Sequence, residues 1–168
     1  LGMRYSLHAL ADELDMDDLE RNSGIAKEKI ENWVKRCSAN PDTIAETDED
    51  ELKIEELLAR SAVEMAVERH CGYMESTYSP MGEIFTLVGK DLTEVPSVVG
   101  IGGAIINSRY PASILEGAKY SIKKFNYMKP KSPRYLIDQK YIFASMGLIS
   151  TVDPELALDI LKNEIKQI

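Results

Sequence analysis

Two cysteines and two histidines are all that 168 residues hold of those types, with one tryptophan. Cys37 and Cys71 are too few for a disulfide framework and lack metal-ligand spacing. No H-E-x-x-H pattern is present, so a standard zinc site is not expected. No G-x-x-x-x-G-K-[ST] stretch is present, which excludes a P-loop. No apolar run approaches the length of a membrane span, and no secretory leader pattern is visible. Positive charge is not in excess either. Twenty Lys and Arg face 28 Asp and Glu, a net charge of −8. A protein that binds nucleic acid by neutralising phosphates carries the opposite sign, so no nucleic-acid partner is expected. What is present is a globular composition, 44% hydrophobic and 29% charged, in 18.8 kDa. The expectation is an acidic, soluble, cytoplasmic domain with a real core and no membrane association.

The start, Leu1-Gly2-Met3-Arg4, does not read as a natural beginning. The chain is expected to be a fragment whose other half lies elsewhere. Charge is divided unevenly along it. Residues 1–60 carry 16 acidic and 8 basic side chains, and residues 61–168 carry 12 of each. Arg109 to Arg134 is locally basic, with seven cationic residues against Glu116 alone. Solvated faces explain such runs, and so does a docking surface.

Helical patterns fill residues 1–47, which are expected to form an appended subdomain. Ser6 is placed to cap Leu7–Leu14. Ala26–Arg36 carries Ile30, Trp33 and Val34 on one face, with Trp33 as a core anchor. Pro41 breaks the pattern. Thr47 is expected to cap a long helix, with Asp50 completing a capping box and acidic residues in the first turn. Leu52, Leu57, Leu58, Ala62, Met65 and Ala66 form its expected buried face, and Gly72 its stop. His70 stands beside Cys71 near that end. Adjacent helical residues do not face each other, so the pair is a poor nucleophile and base, and His70 is read as structural or interfacial.

Residues 48–168 are expected to hold strand and helix in alternation, a small sheet covered by helices. Glu83–Val88 reads as one strand. Ser97–Ile101 reads as a second, buried and parallel. Helix is expected over 112–124, with Ile114, Leu115, Ala118 and Ile122 buried and most of the basic segment outward. Arg134–Ile137 is a third strand, and Asp138 the cap of a helix over 139–148 with Ile142, Phe143 and Met146 as its stripe. Asp153-Pro154 opens a last helix with Leu158, Leu161 and Ile165 on one face.

One stretch has a functional shape: Val98-Val99-Gly100-Ile101-Gly102-Gly103-Ala104. A strand runs into paired glycines and then into a helical turn. Missing Cβ atoms let a flat or anionic ligand approach the backbone. In open α/β sheets ligands collect at such strand ends. A tight turn with no ligand has the same pattern. The dinucleotide fingerprint is not met, because Ile105 stands where its third glycine would fall.

Several segments occur together in a set order. They are Leu1-Gly2-Met3-Arg4, Arg69-His70 with Gly72, Tyr78-Ser79-Pro80-Met81-Gly82, Gly89-Lys90-Asp91-Leu92-Thr93, Val99-Gly100-Ile101-Gly102-Gly103, and Pro133-Arg134-Tyr135 with Asp138 and Tyr141. This set resembles the C-terminal part of the MutL/GlmL family, the accessory proteins of glutamate mutase and related adenosylcobalamin-dependent mutases. The DNA mismatch-repair protein of similar name is unrelated. The resemblance implies a helix-rich fragment of an actin/Hsp70-like, ribonuclease-H-like ATPase lobe, with residues 48–168 as its adenosine side. It implies an ATP-dependent reactivating chaperone that opens a mutase and releases damaged cobalamin. Its partners would be a mutase subunit and the N-terminal half of the same protein. ATP is the implied cofactor, with Mg in the full-length protein. Gly100, Gly102 and Gly103 match the family's adenosine motif, and Ala104 and Asn107 adjoin it. The basic residue that often follows the paired glycines in Hsp70 relatives is replaced by Ile105 and Ile106. The phosphate loops and their acidic residues precede Leu1 in the family, so no catalytic or metal-binding residue is expected in this chain. Two other possibilities remain at this point. One is a helical interaction module with no nucleotide role. The other is a metabolite kinase of the same superfamily.

Overall fold

A computed structural model describes residues 2–168. Short helices come first: α1 (Gly2–Tyr5), α2 (Leu7–Asp12), α3 (Met16–Ser23) and α4 (Lys27–Ala39). Ser6 makes no side-chain cap. The Asp15 carboxylate does cap α3, accepting from the Asp17 and Asp18 N–H groups. Leu7, Ile25, Ile30, Trp33, Val34 and Cys37 form one apolar core, and Trp33 is 2% exposed within it. Arg4 and Arg36 lie over its ring, with guanidinium carbons 5.8 and 4.9 Å from the centroid.

A 22-residue helix, α5 (Glu49–His70), links this core to the rest. Its cap is Asp48 and not the expected Thr47. The Asp48 carboxylate accepts from the Asp50 and Glu51 N–H groups at 2.8 and 3.2 Å. Its buried residues are Ile54, Leu58 and Ala59. Of the expected face only Leu58 is buried, and Ala66 is exposed. Ile54 and Leu58 belong to the core of α2–α4. The later turns of α5 pack on residues 111–118.

A hairpin follows, β1 (Tyr73–Ser79) against β2 (Gly82–Val88), antiparallel and in register from Tyr73↔Val88 to Ser79↔Gly82. The second strand was expected from sequence. The first was not, because its polar Glu-Ser-Thr centre resembles a loop. Tyr78, Met81, Ile84 and Phe85 are all exposed.

A second sheet has the order β3 (Ser97–Gly100), β4 (Arg134–Ile137), β5 (Lys166–Gln167). β3 and β4 run parallel, and β5 is antiparallel to β4. The parallel pairing agrees with the sequence. The buried position does not: β3 is an edge strand, and Val98 and Val99 are half-buried. Between β3 and β4 lie α6 (Gly103–Ile106), α7 (Pro111–Leu115) and two single 3₁₀ turns, Glu116–Ala118 and Ile122–Lys124. The expected continuous helix over 112–124 is therefore absent. Gly117 passes so close to α5 that a Cβ there would lie 2.5 Å from the Arg60 carbonyl oxygen. Beyond it the chain turns extended at Lys119, and the Tyr120 N–H bonds to the Pro130 carbonyl at 2.8 Å. Ile114, Leu115 and Ala118 are buried as expected, but Ile122 is 82% exposed.

The chain closes with α8 (Phe143–Ile149) and α9 (Pro154–Glu164), which pack together. Asp153 caps α9 as its sequence indicates, accepting from the Leu156 N–H at 3.0 Å. Met146 and Ala157 are buried, whereas Phe143 and Leu158 are exposed against expectation. The structure is thus a mixed α/β fold with small sheets and many helices. Among the described residues no helix is long and apolar enough to cross a membrane.

Candidate functional site

Parallel pairing sets the geometry of the glycine turn. Gly100 lies opposite Ile137, and the Asp138 N–H donates to the Gly100 carbonyl at 3.0 Å. The carboxyl ends of β3 and β4 therefore lie side by side, and their loops leave in the same direction. One leads through Gly102-Gly103 into α6. The other leads through residues 138–141 into α8.

Each glycine has a different role. A Cβ on Gly100 would lie 2.9 Å from Ile105 Cγ2 and 3.0 Å from Leu115 Cδ1. Its small size is thus used to seat α6 and α7 against the strand. Gly102 has φ 114° and ψ 152°, a region closed to other residues, and nothing lies within 4 Å of its missing Cβ. Its carbonyl accepts the Ile105 and Ile106 N–H groups, both at 3.0 Å. A Cβ on Gly103 would meet only Asn107 Nδ2 at 3.6 Å and Tyr141 Oη at 3.7 Å. Ala104 and Asn107 are exposed beside it. The space at the missing Cβ of Gly102 is open, and the residues beside it are exposed.

The facing loop contributes two residues outside the glycine motif. Asp138 is 1% exposed, and its carboxylate accepts the Ile142 and Phe143 N–H groups at 3.1 and 2.9 Å. It is not the N-cap expected of a helix over 139–148: α8 starts only at Phe143 with Ile142 as its N-cap, and Asp138 instead holds the loop before it. Tyr141 has φ 54° and is half-exposed. Nothing in the sequence signals that conformation.

Four cations of the basic segment have acidic partners. Arg109 pairs with Glu49 at 2.9 Å, at the start of α5. Lys124 pairs with Glu68 at 2.8 Å and Glu64 at 3.2 Å. Lys129 is 1% exposed and lies 3.4 Å from Glu68 and 3.7 Å from Glu64. Burial works to raise the Glu64 carboxyl, but Lys129 and Lys124 outweigh it and hold that group below the ordinary glutamate value. Lys131 lies 3.9 Å from Glu94. Among the described residues no group of three or more His, Cys, Asp or Glu side chains is arranged to hold a metal ion.

Comparison with known proteins places the chain. The family model described as MutL protein matches residues 1–165. The chain is 35% identical over 168 residues to a relative described as Protein MutL from Clostridium tetanomorphum. That match covers 100% of this chain and 36% of the relative, so the chain spans about a third of the relative's length. No solved structure matches it significantly. With a family match across nearly its whole length and a relative of this identity, the chain belongs to the MutL protein family.

Proposed function

We propose that this chain is part of an ATP-dependent reactivating chaperone for an adenosylcobalamin-dependent mutase, and that it supplies the adenosine side of a nucleotide cleft in an actin/Hsp70-like ATPase lobe. The observation that carries the nucleotide role is the open, left-handed Gly102 at the carboxyl end of a parallel strand pair. Family membership supports the chaperone role.

In this proposal Gly102 and Gly103 offer bare backbone to the adenosine, with Ala104 and Asn107 at its border. Gly100 acts behind them by seating α6. The phosphates and Mg are assigned to other parts of the longer polypeptide. Within this chain Lys124 and Lys129 pair with Glu64 and Glu68. The chain alone should therefore bind adenosine, ADP and ATP with similar, weak affinity, about millimolar or roughly −4 kcal/mol. It should not hydrolyse ATP at a meaningful rate, because phosphoryl transfer needs donors around the phosphates and a positioned metal and water.

Calorimetric titration with the three ligands at low and high salt tests the proposal. Equal weak affinities that are insensitive to salt support it. Complete absence of adenosine binding removes the nucleotide role. A strong salt-sensitive rise from adenosine to ATP would move phosphate recognition into the basic segment. For the chaperone role, the longer protein should release damaged cobalamin from a mutase only when ATP is supplied.

A further inference from the structure

The hairpin of β1 and β2 is anchored at its base and ordered at its tip. At the base the Met74 N–H donates to the Asn126 carbonyl at 2.8 Å. At the tip the Ser79 hydroxyl donates to the Gly82 carbonyl at 2.9 Å and accepts the Met81 N–H at 3.2 Å, and Met81 is 98% exposed. Between them every residue of β2 is exposed, and the two strands pack chiefly on each other. Their register places Tyr73, Ile84 and Val88 on one face and Tyr78, Phe85 and Leu87 on the other. All six are exposed. A sheet that meets water on one side carries its apolar residues on the other. This hairpin carries them on both faces, and among the described residues neither face is covered. Its edge is open too. Met74 turns its N–H away from β2, so Met74 and Leu87 form a non-hydrogen-bonded pair. By alternation Glu83, Phe85 and Leu87 turn their N–H groups to the outer edge of β2. Natural edges are blunted by lysine, proline or a bulge, and β2 has none of these.

We infer that this hairpin is the element by which the chain docks against the remainder of the same, longer polypeptide, which adds a strand at the open edge of β2 and covers both apolar faces. A two-stranded hairpin is marginal in water until a third strand or a packed layer joins it. An apolar edge left open is also an aggregation site, so its cover has to be present at all times. A covalently continuous segment meets that need through its high effective concentration, and a transient partner does not. The length is available, because nearly two thirds of the Clostridium tetanomorphum relative lies outside the match. Charge argues against a second copy. Residues 73–88 hold Glu75 and Glu83 and no cation, so paired hairpins would bring carboxylates together with nothing to answer them. The covering segment should be apolar with basic residues at its border.

The test uses the complete protein that carries this chain, at a concentration where sedimentation shows a monomer. Amide-resolved hydrogen exchange should find the Glu83, Phe85 and Leu87 N–H groups slowed at least about 100-fold relative to a free peptide. Phe85→Asp in the same protein should lower the melting temperature by roughly 5 °C or more, because it places a charge under the cover. Should that variant fail to fold, the exchange rates of the parent decide alone. Free-peptide exchange in the monomer, or an unmoved melting temperature in a folded Phe85→Asp protein, overturns the inference and leaves the hairpin open for another protein. Protection that appears only as the protein dimerises overturns it in favour of a second copy.

Discussion

Gly72 and Gly89 lie back to back where α5 passes into the hairpin. A Cβ on Gly72 would sit 2.9 Å from the Gly89 carbonyl carbon and 2.7 Å from the Val88 oxygen, and a Cβ on Gly89 would sit 2.9 Å from Gly72 Cα. The Gly72 N–H donates to the Lys90 carbonyl at 2.6 Å across this contact. Gly72 follows directly on the helix end, as expected from sequence, but it has no positive φ and is needed for this close approach. The helix is capped at Cys71, which is extended with φ −75° and ψ 163°. Gly72→Ala should cost about 1–3 kcal/mol, because both neighbours are backbone and neither can swing aside. Urea denaturation measures it, and a loss below about 0.5 kcal/mol would show that the two segments can part freely.

At the start of the same helix the cap can be tested against its neighbour. Asp48→Ala removes the acceptor for two N–H groups and should cost about 1 kcal/mol. Thr47→Ala should change stability by less than about 0.5 kcal/mol. The opposite ranking in thermal melts would restore Thr47 as the cap.

Lys129 depends on its two glutamates. The double change Glu64→Gln and Glu68→Gln leaves an ammonium that is 1% exposed without those partners and should cost about 3–5 kcal/mol. A pH dependence follows for Glu64. Its carboxyl lies below the ordinary value in the folded chain, so its contribution is complete above the unfolded value near about 4.3 and is lost as pH falls through the folded one. The stability gap between the parent and Glu64→Gln should thus be full at neutral pH and shrink below about pH 4. A gap that widens on acidification would reverse the sign assigned here.

Both thiols should resist modification in the native chain. Cys37 is fully buried and Cys71 is 7% exposed. Burial raises both above the ordinary thiol value, so each is protonated at neutral pH. A disulfide-exchange reagent at pH 7.5 should titrate almost no thiol until denaturant is added, and then two. Rapid native reaction of either would mean that its cover opens easily.

The paired glycines should respond unequally to a methyl group. Gly102→Ala forces alanine into a conformation available to glycine alone and should cost about 1–3 kcal/mol. Gly103→Ala meets only ordinary contacts and should stay within about 0.5 kcal/mol. In the longer protein Gly103→Val should nonetheless block adenosine binding, because its branched side chain fills space the ligand needs. Unchanged ATP affinity in a folded Gly103→Val protein would remove the glycine turn from the site.

What the sequence by itself determined was local chemistry and kinship. Asp153-Pro154 marked the start of α9, because a carboxylate before a first-turn proline satisfies helix N–H groups wherever the helix lies. The short apolar runs at 97–100 and 134–137 announced strands. The ordered motifs were enough to indicate the family. Only the tertiary structure decided which side of each element met another. Residues 112–124 have a helical pattern, but Gly117 must pass beneath Arg60, and the chain beyond pairs with Pro130 instead of continuing the helix. β3 has the composition of a central strand, yet its place at the edge depends on which strands pair with it. Tyr141 was visible as a residue of the family motif, but nothing in the sequence marks its positive φ. Capping and strand propensity act over a few residues and are legible in order along the chain. Close approach and edge position arise between segments far apart in sequence, and they exist only once the segments meet.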